Sequence, residues 1–156
     1  MPARTVHRFL DEHGVDYEVQ SHERVVDAQR LAATEHVTGW KVAKPVMLIV
    51  GDELTMAVVP AAVSVDLDKV RRVLGRDEVR LAREDEFADA FPDCEPGAEP
   101  PFGNLYGLPV LFDPTLGDRD QLVCRDGSHT ETVTLVTDDY LRLVEPRIVD
   151  ISTAAG

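Results

Sequence analysis

Lysine is the scarcest charged residue in this sequence, and its placement is the first chemical signal. Only Lys41, Lys44 and Lys69 occur, against 13 arginines. Lys44 lies between Ala43 and Pro45 at the head of the apolar run PVMLIV, where an ammonium can be half-desolvated and still reach into a cleft. Taken alone, it reads as a snorkelling surface lysine. Other chemistries lack their signatures: there is no Gly-x-Ser-x-Gly elbow, Gly-x-x-x-x-Gly-Lys loop, His-Glu-x-x-His or Gly-x-Gly-x-x-Gly. His7, His13, His22, His36 and His129 do not pair at metal-ligand spacing, and Ser128 and His129 are sequence neighbours, which does not make a nucleophile and base. Cys94 and Cys124 form no Cys-x-x-Cys pair, so two free, buried thiols are expected. A triad hydrolase is disfavoured, and no metal or cofactor is expected.

The elements around these residues follow from periodicity and punctuation. Val6, Phe9 and Leu10 predict a first helix, with Thr5 to cap it and Gly14 to stop it. A brief strand at 17–19 precedes a helix over 28–36, with Asp27 as its N-cap. PVMLIV and LTMAVV flank Gly51-Asp52 and predict a hairpin. Residues 46–50 are apolar at every position, which predicts a central strand covered on both faces. A capped helix over 66–74, a strand at 79–81 and a helix over 84–91 follow. The stretch 92–109 holds five prolines and three glycines, and irregular loops longer than about 12–15 residues in compact domains are usually functional or disordered. Strands at 110–112, 122–124 and 130–136 and a helix over 138–144 complete the chain. This mixture lacks regular βαβ alternation and predicts an α+β fold.

The length of 156 residues predicts one domain. No apolar stretch approaches the ~20 residues of a membrane span, and the start does not resemble a signal peptide, so a cytoplasmic location is expected. The net charge of −13, with a pI near 4.6, excludes extended non-specific binding to nucleic-acid phosphates, DNA included.

Several stretches, in order, resemble the YbaK/ProX family of aminoacyl-tRNA deacylases, which includes the editing insertion of bacterial prolyl-tRNA synthetases. His22 and the alanine-rich helix with Ala28, Ala32 and Ala33 lead into VAKPVMLIV, which is similar to the family's strand with its functional lysine, here Lys44. VVPA resembles the family's Val-Pro-Ala segment, and GAEPPFG its Gly-x-x-x-Pro motif, here Gly97 and Pro101, followed by Gly103. GLPVLFD resembles a strand ending in an aspartate, here Asp113, and DGSHTETV a Gly-Ser/Thr-His turn at Gly127.

The resemblance implies an α+β domain over 1–156, core about 4–150, in which a mixed twisted sheet curls into a pseudo-barrel flanked by helices. It implies trans-editing: hydrolysis of the ester between a small, wrong amino acid and a tRNA of the tRNA-Pro type. Binding alone separates side chains differing by a methylene by only about 1–3 kcal/mol, which is why hydrolytic editing exists. By the resemblance, Lys44 supplies a cation near developing negative charge, and the loop with Gly97 and Pro101 presents backbone N–H groups to the ester. His129 lines the amino-acid pocket, though without the family it reads as a surface-turn histidine. His22 is pocket wall or a surface residue, and Asp113 orients pocket groups or forms an ordinary turn.

Trp40 either stacks on a base or sits half-buried in the core. Lys69, Arg71 and Arg72 read as a solvated helix face, with phosphate contact the minority reading. Lys41, Lys44, Arg24 and Arg30 are candidates for a small basic patch serving the tRNA acceptor end. An aminoacyl-tRNA synthetase is a further candidate partner. The rivals are a non-catalytic binding module of the same fold, favoured by Pro45 and Glu99 beside the site, and a hydrolase of small-molecule esters.

Overall fold

The structure is a computed structural model, and it describes residues 5–24 and 27–154. Helix α1 (Thr5–Glu12) buries Val6, His7 and Leu10, the helical spacing legible in the sequence. Thr5 is its first residue, and the Thr5 hydroxyl donates to Asp93 of the distant loop. Strand β1 (Tyr17–Ser21) follows. Helix α2 (Ala28–Thr34) begins as expected at Asp27, whose carboxylate accepts from the N–H groups of Gln29 and Arg30.

Strands β2 (Ala43–Val50) and β3 (Glu53–Pro60) form the expected hairpin, Lys44 pairing with Val59 and Val50 with Glu53. Helix α3 (Leu67–Leu74) is capped by Asp66 and stopped by Gly75, which takes the left-handed conformation at φ 63°. Strand β4 (Val79–Leu81) pairs with β2 only along 48–50. The half of β2 that carries Lys44 therefore has no β4 partner. Helix α4 (Glu84–Phe87) is shorter than expected, because the chain tightens into a 3₁₀ turn at Ala88–Ala90. The long loop that follows contains one more such turn, Gly103–Tyr106.

Strand β5 (Val110–Phe112) lies parallel to β3, and helix α5 (Pro114–Gly117), β6 (Gln121–Arg125), β7 (Glu131–Val136), α6 (Thr137–Val144) and β8 (Arg147–Ile148) complete the order. One sheet runs β1-β7-β6 and the other β4-β2-β3-β5-β8, so β2 is an interior strand between β4 and β3.

The sheets meet where Val42, just before β2, bridges Val123 of β6 in parallel. The expected pseudo-barrel is corrected here: among the described residues the sheets stay open, joined by this single bridge. Past the bridge β2 pairs with β3 and β6 with β7. The main core lies on one face of this junction and includes Ala43, Met47, Phe102, Phe112, Cys124 and Tyr140. On the other face α2 packs Leu31 and Ala32 over Val42, Ala61 and Val123. Burying Leu31 alone stabilises by about 1.5–3 kcal/mol and fixes α2 over the bridge.

Candidate functional site

Side chains alternate along a strand, so Lys44 and Arg125, each two residues past the bridge, lie on the same face as Val42 and Val123. They flank the bridge between β2 and β6 on the side that α2 covers. Lys44 is half-buried, and its Nζ donates to the carbonyl of Val63 at 2.6 Å. Burial lowers its pKa from the ordinary lysine value, and the Asp27 carboxylate opposes that shift. Arg125 is 5% exposed; burial lowers its pKa, while the carboxylates of Glu35, Asp126, Asp27 and Glu95 oppose. Asp27 thus faces both cations from the start of α2.

The loop and turn beyond Arg125 are stitched together. The Glu95 N–H donates to the Gly127 carbonyl at 2.7 Å, and the His129 N–H donates to Glu95 Oε2 at 3.2 Å. His129 is fully buried, its Nε2 2.6 Å from the Pro96 carbonyl, so the ring donates there. His129 is therefore a clamp on the loop, not a surface-turn residue. Asp126 anchors the turn from below, accepting from Ser128 N and Oγ and from His7 Nε2 at 2.8 Å. Glu131 Oε2 completes a His7, Asp126 and Glu131 group whose ligand atoms lie within 4.8 Å of one another.

Gly97 has φ 85° and Gly127 φ 107°, both in the region that favours glycine. The Gly97 N–H donates to Glu99 Oε2 at 3.0 Å, so the loop's amide is engaged by the loop's own carboxylate. Pro101 is buried, and its carbonyl accepts from the Tyr140 hydroxyl at 2.5 Å, which pins the far end of the loop to α6.

Other expected site residues have internal duties. Gly103 is buried in the core, where an added Cβ would lie 2.7 Å from Val110. Asp113 caps α5 through Thr115 N and accepts from Ile151 N at 3.1 Å, tying down the C-terminal segment. His22 reaches Glu35 at 3.1 Å under the end of α2. Lys69 holds Asp150 and the carbonyls of Ser152 and Ala154, and Arg71 holds Asp68 and the carbonyls of Asp77 and Val79, so neither is a solvated helix face. Arg24 pairs with Glu95, and Trp40 is half-buried. Cys124 is buried as expected; Cys94 is only partly so, and burial pushes its thiol up to about 12, far from a reactive thiolate.

Sequence reading missed Arg125, Glu35 and Glu95. One signal was available for Arg125, a charge closing the apolar strand LVC immediately before Asp126-Gly127.

The sequence model of the aminoacyl-tRNA editing domain matches residues 22–143, a span that contains His22, Lys44, Gly97, Pro101, Arg125 and His129. The chain belongs to the aminoacyl-tRNA editing domain family. A relative within curated proteins, the multifunctional Ser/Thr-tRNA deacylase ProXp-y of Escherichia coli K12, is 28% identical over 152 residues, covering 94% of this chain and 90% of that protein. Two solved structures share the editing-domain fold. One, described as a hypothetical protein, has a TM-score of 0.85 at 16% identity, covering 95% of this chain and 99% of that one. The other, described as a candidate trans-editing enzyme for prolyl-tRNA synthetase, has a TM-score of 0.82 at 18% identity, covering 97% and 96%. Among the described residues, no helix of this editing domain is long and apolar enough to cross a membrane.

Proposed function

We propose that this editing domain is a trans-acting deacylase that hydrolyses the ester of a tRNA mischarged with a small amino acid. The observation that carries the reading is the placement of Lys44 and Arg125, each two residues past the bridge between the sheets, with the loop that contains Gly97 clamped by His129 a few residues beyond Arg125. An aminoacyl ester is already activated, so positioning a water or a ribose hydroxyl and stabilising the oxyanion suffice, and no protein nucleophile is needed. Lys44 keeps donors beyond the one given to Val63 and supplies the cation; the loop supplies N–H groups once Glu99 is displaced. His129 acts by holding the loop, and the Gly127 carbonyl shares that task. His22 belongs to the pocket wall, whereas Gly103 and Asp113 support it from the core. The relative's name points to serine and threonine as the first acyl groups to try, with tRNA-Pro-type substrates beside them.

The partner in this reading is the acceptor end of an aminoacyl-tRNA, met in the cytoplasm, with a synthetase as a possible second partner; DNA has no place in it. Single-turnover deacylation over a panel of mischarged tRNAs tests the proposal. Turnover of at least one small-residue tRNA is expected, and none across the panel would overturn it. A second reading, a non-catalytic binding module, draws support from the Glu99 carboxylate seated on the Gly97 amide. It predicts tRNA binding without turnover in the same panel.

A further inference from the structure

At the end of α2 opposite Asp27 the structure holds a buried polar group that the proposed chemistry has not used. Glu35 has a side chain only 2% exposed. Its Oε2 accepts from the Thr132 hydroxyl at 2.8 Å, while its Oε1 has no hydrogen-bond partner among the described residues. Beside it, the His22 side chain is 6% exposed. His22 Nδ1 lies 2.7 Å from the Glu23 carbonyl, which only accepts, so Nδ1 carries a proton; in the neutral ring Nε2 then presents a lone pair. Nε2 is 3.1 Å from Glu35 Oε2, within ion-pair range of a doubly protonated ring, yet no hydrogen bond joins them. A buried polar atom left unsatisfied costs about 1–3 kcal/mol, and more when charged. Two adjacent acceptors in that condition call for one ligand with several donors.

Charge narrows the ligand further. Four carboxylates, those of Glu35, Asp126, Asp27 and Glu95, surround Arg125, and Asp27 also faces Lys44. Around Arg125 and Lys44 the carboxylates are therefore in excess. An aminoacyl ester carries a small cation with three N–H donors on the carbon next to its carbonyl, whereas a side-chain hydroxyl offers one donor and no charge. We propose that Glu35 and His22 receive the α-ammonium group of the aminoacyl ester. The inference rests on the editing reading and assigns the residues that recognise the acyl group. The segment 22–24 is held to the loop by Arg24 and Glu95, 3.1 Å apart and 63% and 42% exposed, a pair worth about 0–1 kcal/mol, and to the turn before β7 by the His22 N–H on the Thr130 carbonyl at 2.8 Å.

The test compares two substrates in one enzyme preparation. Whichever of alanyl-, seryl- and threonyl-tRNA the wild-type protein cleaves fastest is assayed beside its α-hydroxyacyl counterpart, made by nitrous acid deamination, in which a hydroxyl replaces the ammonium. Wild type should prefer the aminoacyl substrate in kcat/KM, and Glu35→Gln should cut that preference by about tenfold, the scale of one charge-assisted hydrogen bond. Inactive or misfolded enzyme cancels from the ratio, and Glu35→Asp, which keeps the charge, should restore part of it. Equal preference in wild type and Glu35→Gln overturns the proposal, as does a wild type that does not distinguish the two substrates. Failure to cleave any aminoacyl-tRNA is a separate result: it overturns the editing reading and this proposal with it.

Discussion

Lys44 is half-buried on the half of β2 that β4 does not pair, its ammonium held by the Val63 carbonyl with the Asp27 carboxylate beside it. Burial lowers its pKa, so the charge is present below that value and lost as the pH rises through it. If the cation stabilises the oxyanion, deacylation should therefore fall on the alkaline side at a pH below the ordinary lysine value of about 10.4. A pH–rate profile checks this, and Lys44→Arg, charged throughout, should remove the alkaline limb from whatever activity it retains. Lys44 was legible because lysine is rare here and this one opens an apolar run. Arg125 was not, since nothing local announces that Asp27, Glu35, Glu95 and Asp126, scattered over about a hundred positions of sequence, gather round it. His129 was read as a pocket residue on family grounds, but its duty of gripping the Pro96 carbonyl belongs to tertiary contact alone.

The loop over 95–101 is the element on which the site depends, and its ends are held by side chains from elsewhere. The Tyr140 hydroxyl donates to the Pro101 carbonyl at 2.5 Å inside the main core. Tyr140→Phe leaves that buried acceptor unpaired and should destabilise the protein by about 1–3 kcal/mol, read as a lower denaturation midpoint at unchanged m-value. At the loop's centre Glu99 occupies the Gly97 amide, and burial raises the Glu99 pKa. Glu99→Gln weakens that internal contact by removing its charge. It should raise kcat/KM for deacylation several-fold, whereas a loss would show that Glu99 takes part in the reaction rather than blocking it. Helix caps, the hairpin and the glycine stops were legible because each is written within a few residues. Helix α5 and strand β8 were not: α5 is four residues long, and β8 is two residues that exist as a strand only by pairing with β5.

At the scale of the molecule, the net charge of −13 limits how much RNA this protein can cover. Lys69 and Arg71 are committed to internal contacts, and Asp plus Glu number 29 against 16 Lys plus Arg. Binding to a mischarged tRNA should therefore be weak, with a log affinity against log salt slope of about −1 to −2, the value for one to three phosphates. Titrations at several salt concentrations check it, and a steep slope would indicate an RNA footprint well beyond the acceptor end. The fold class was legible from the mixture of elements, but the meeting of two open sheets was not. A single bridge between Val42 and Val123 depends on residues 81 positions apart, and no local pattern records it. That junction places Lys44 two residues past the bridge, and the part Lys44 plays there is the central claim. The initial rate of deacylation of the preferred mischarged tRNA, compared between wild type and Lys44→Ala at equal folded concentration, tests it most directly. A fall of about a hundredfold or more, with the fold intact by circular dichroism, is the predicted result, the scale of removing one oxyanion-stabilising group. Undiminished deacylation by Lys44→Ala would contradict the account.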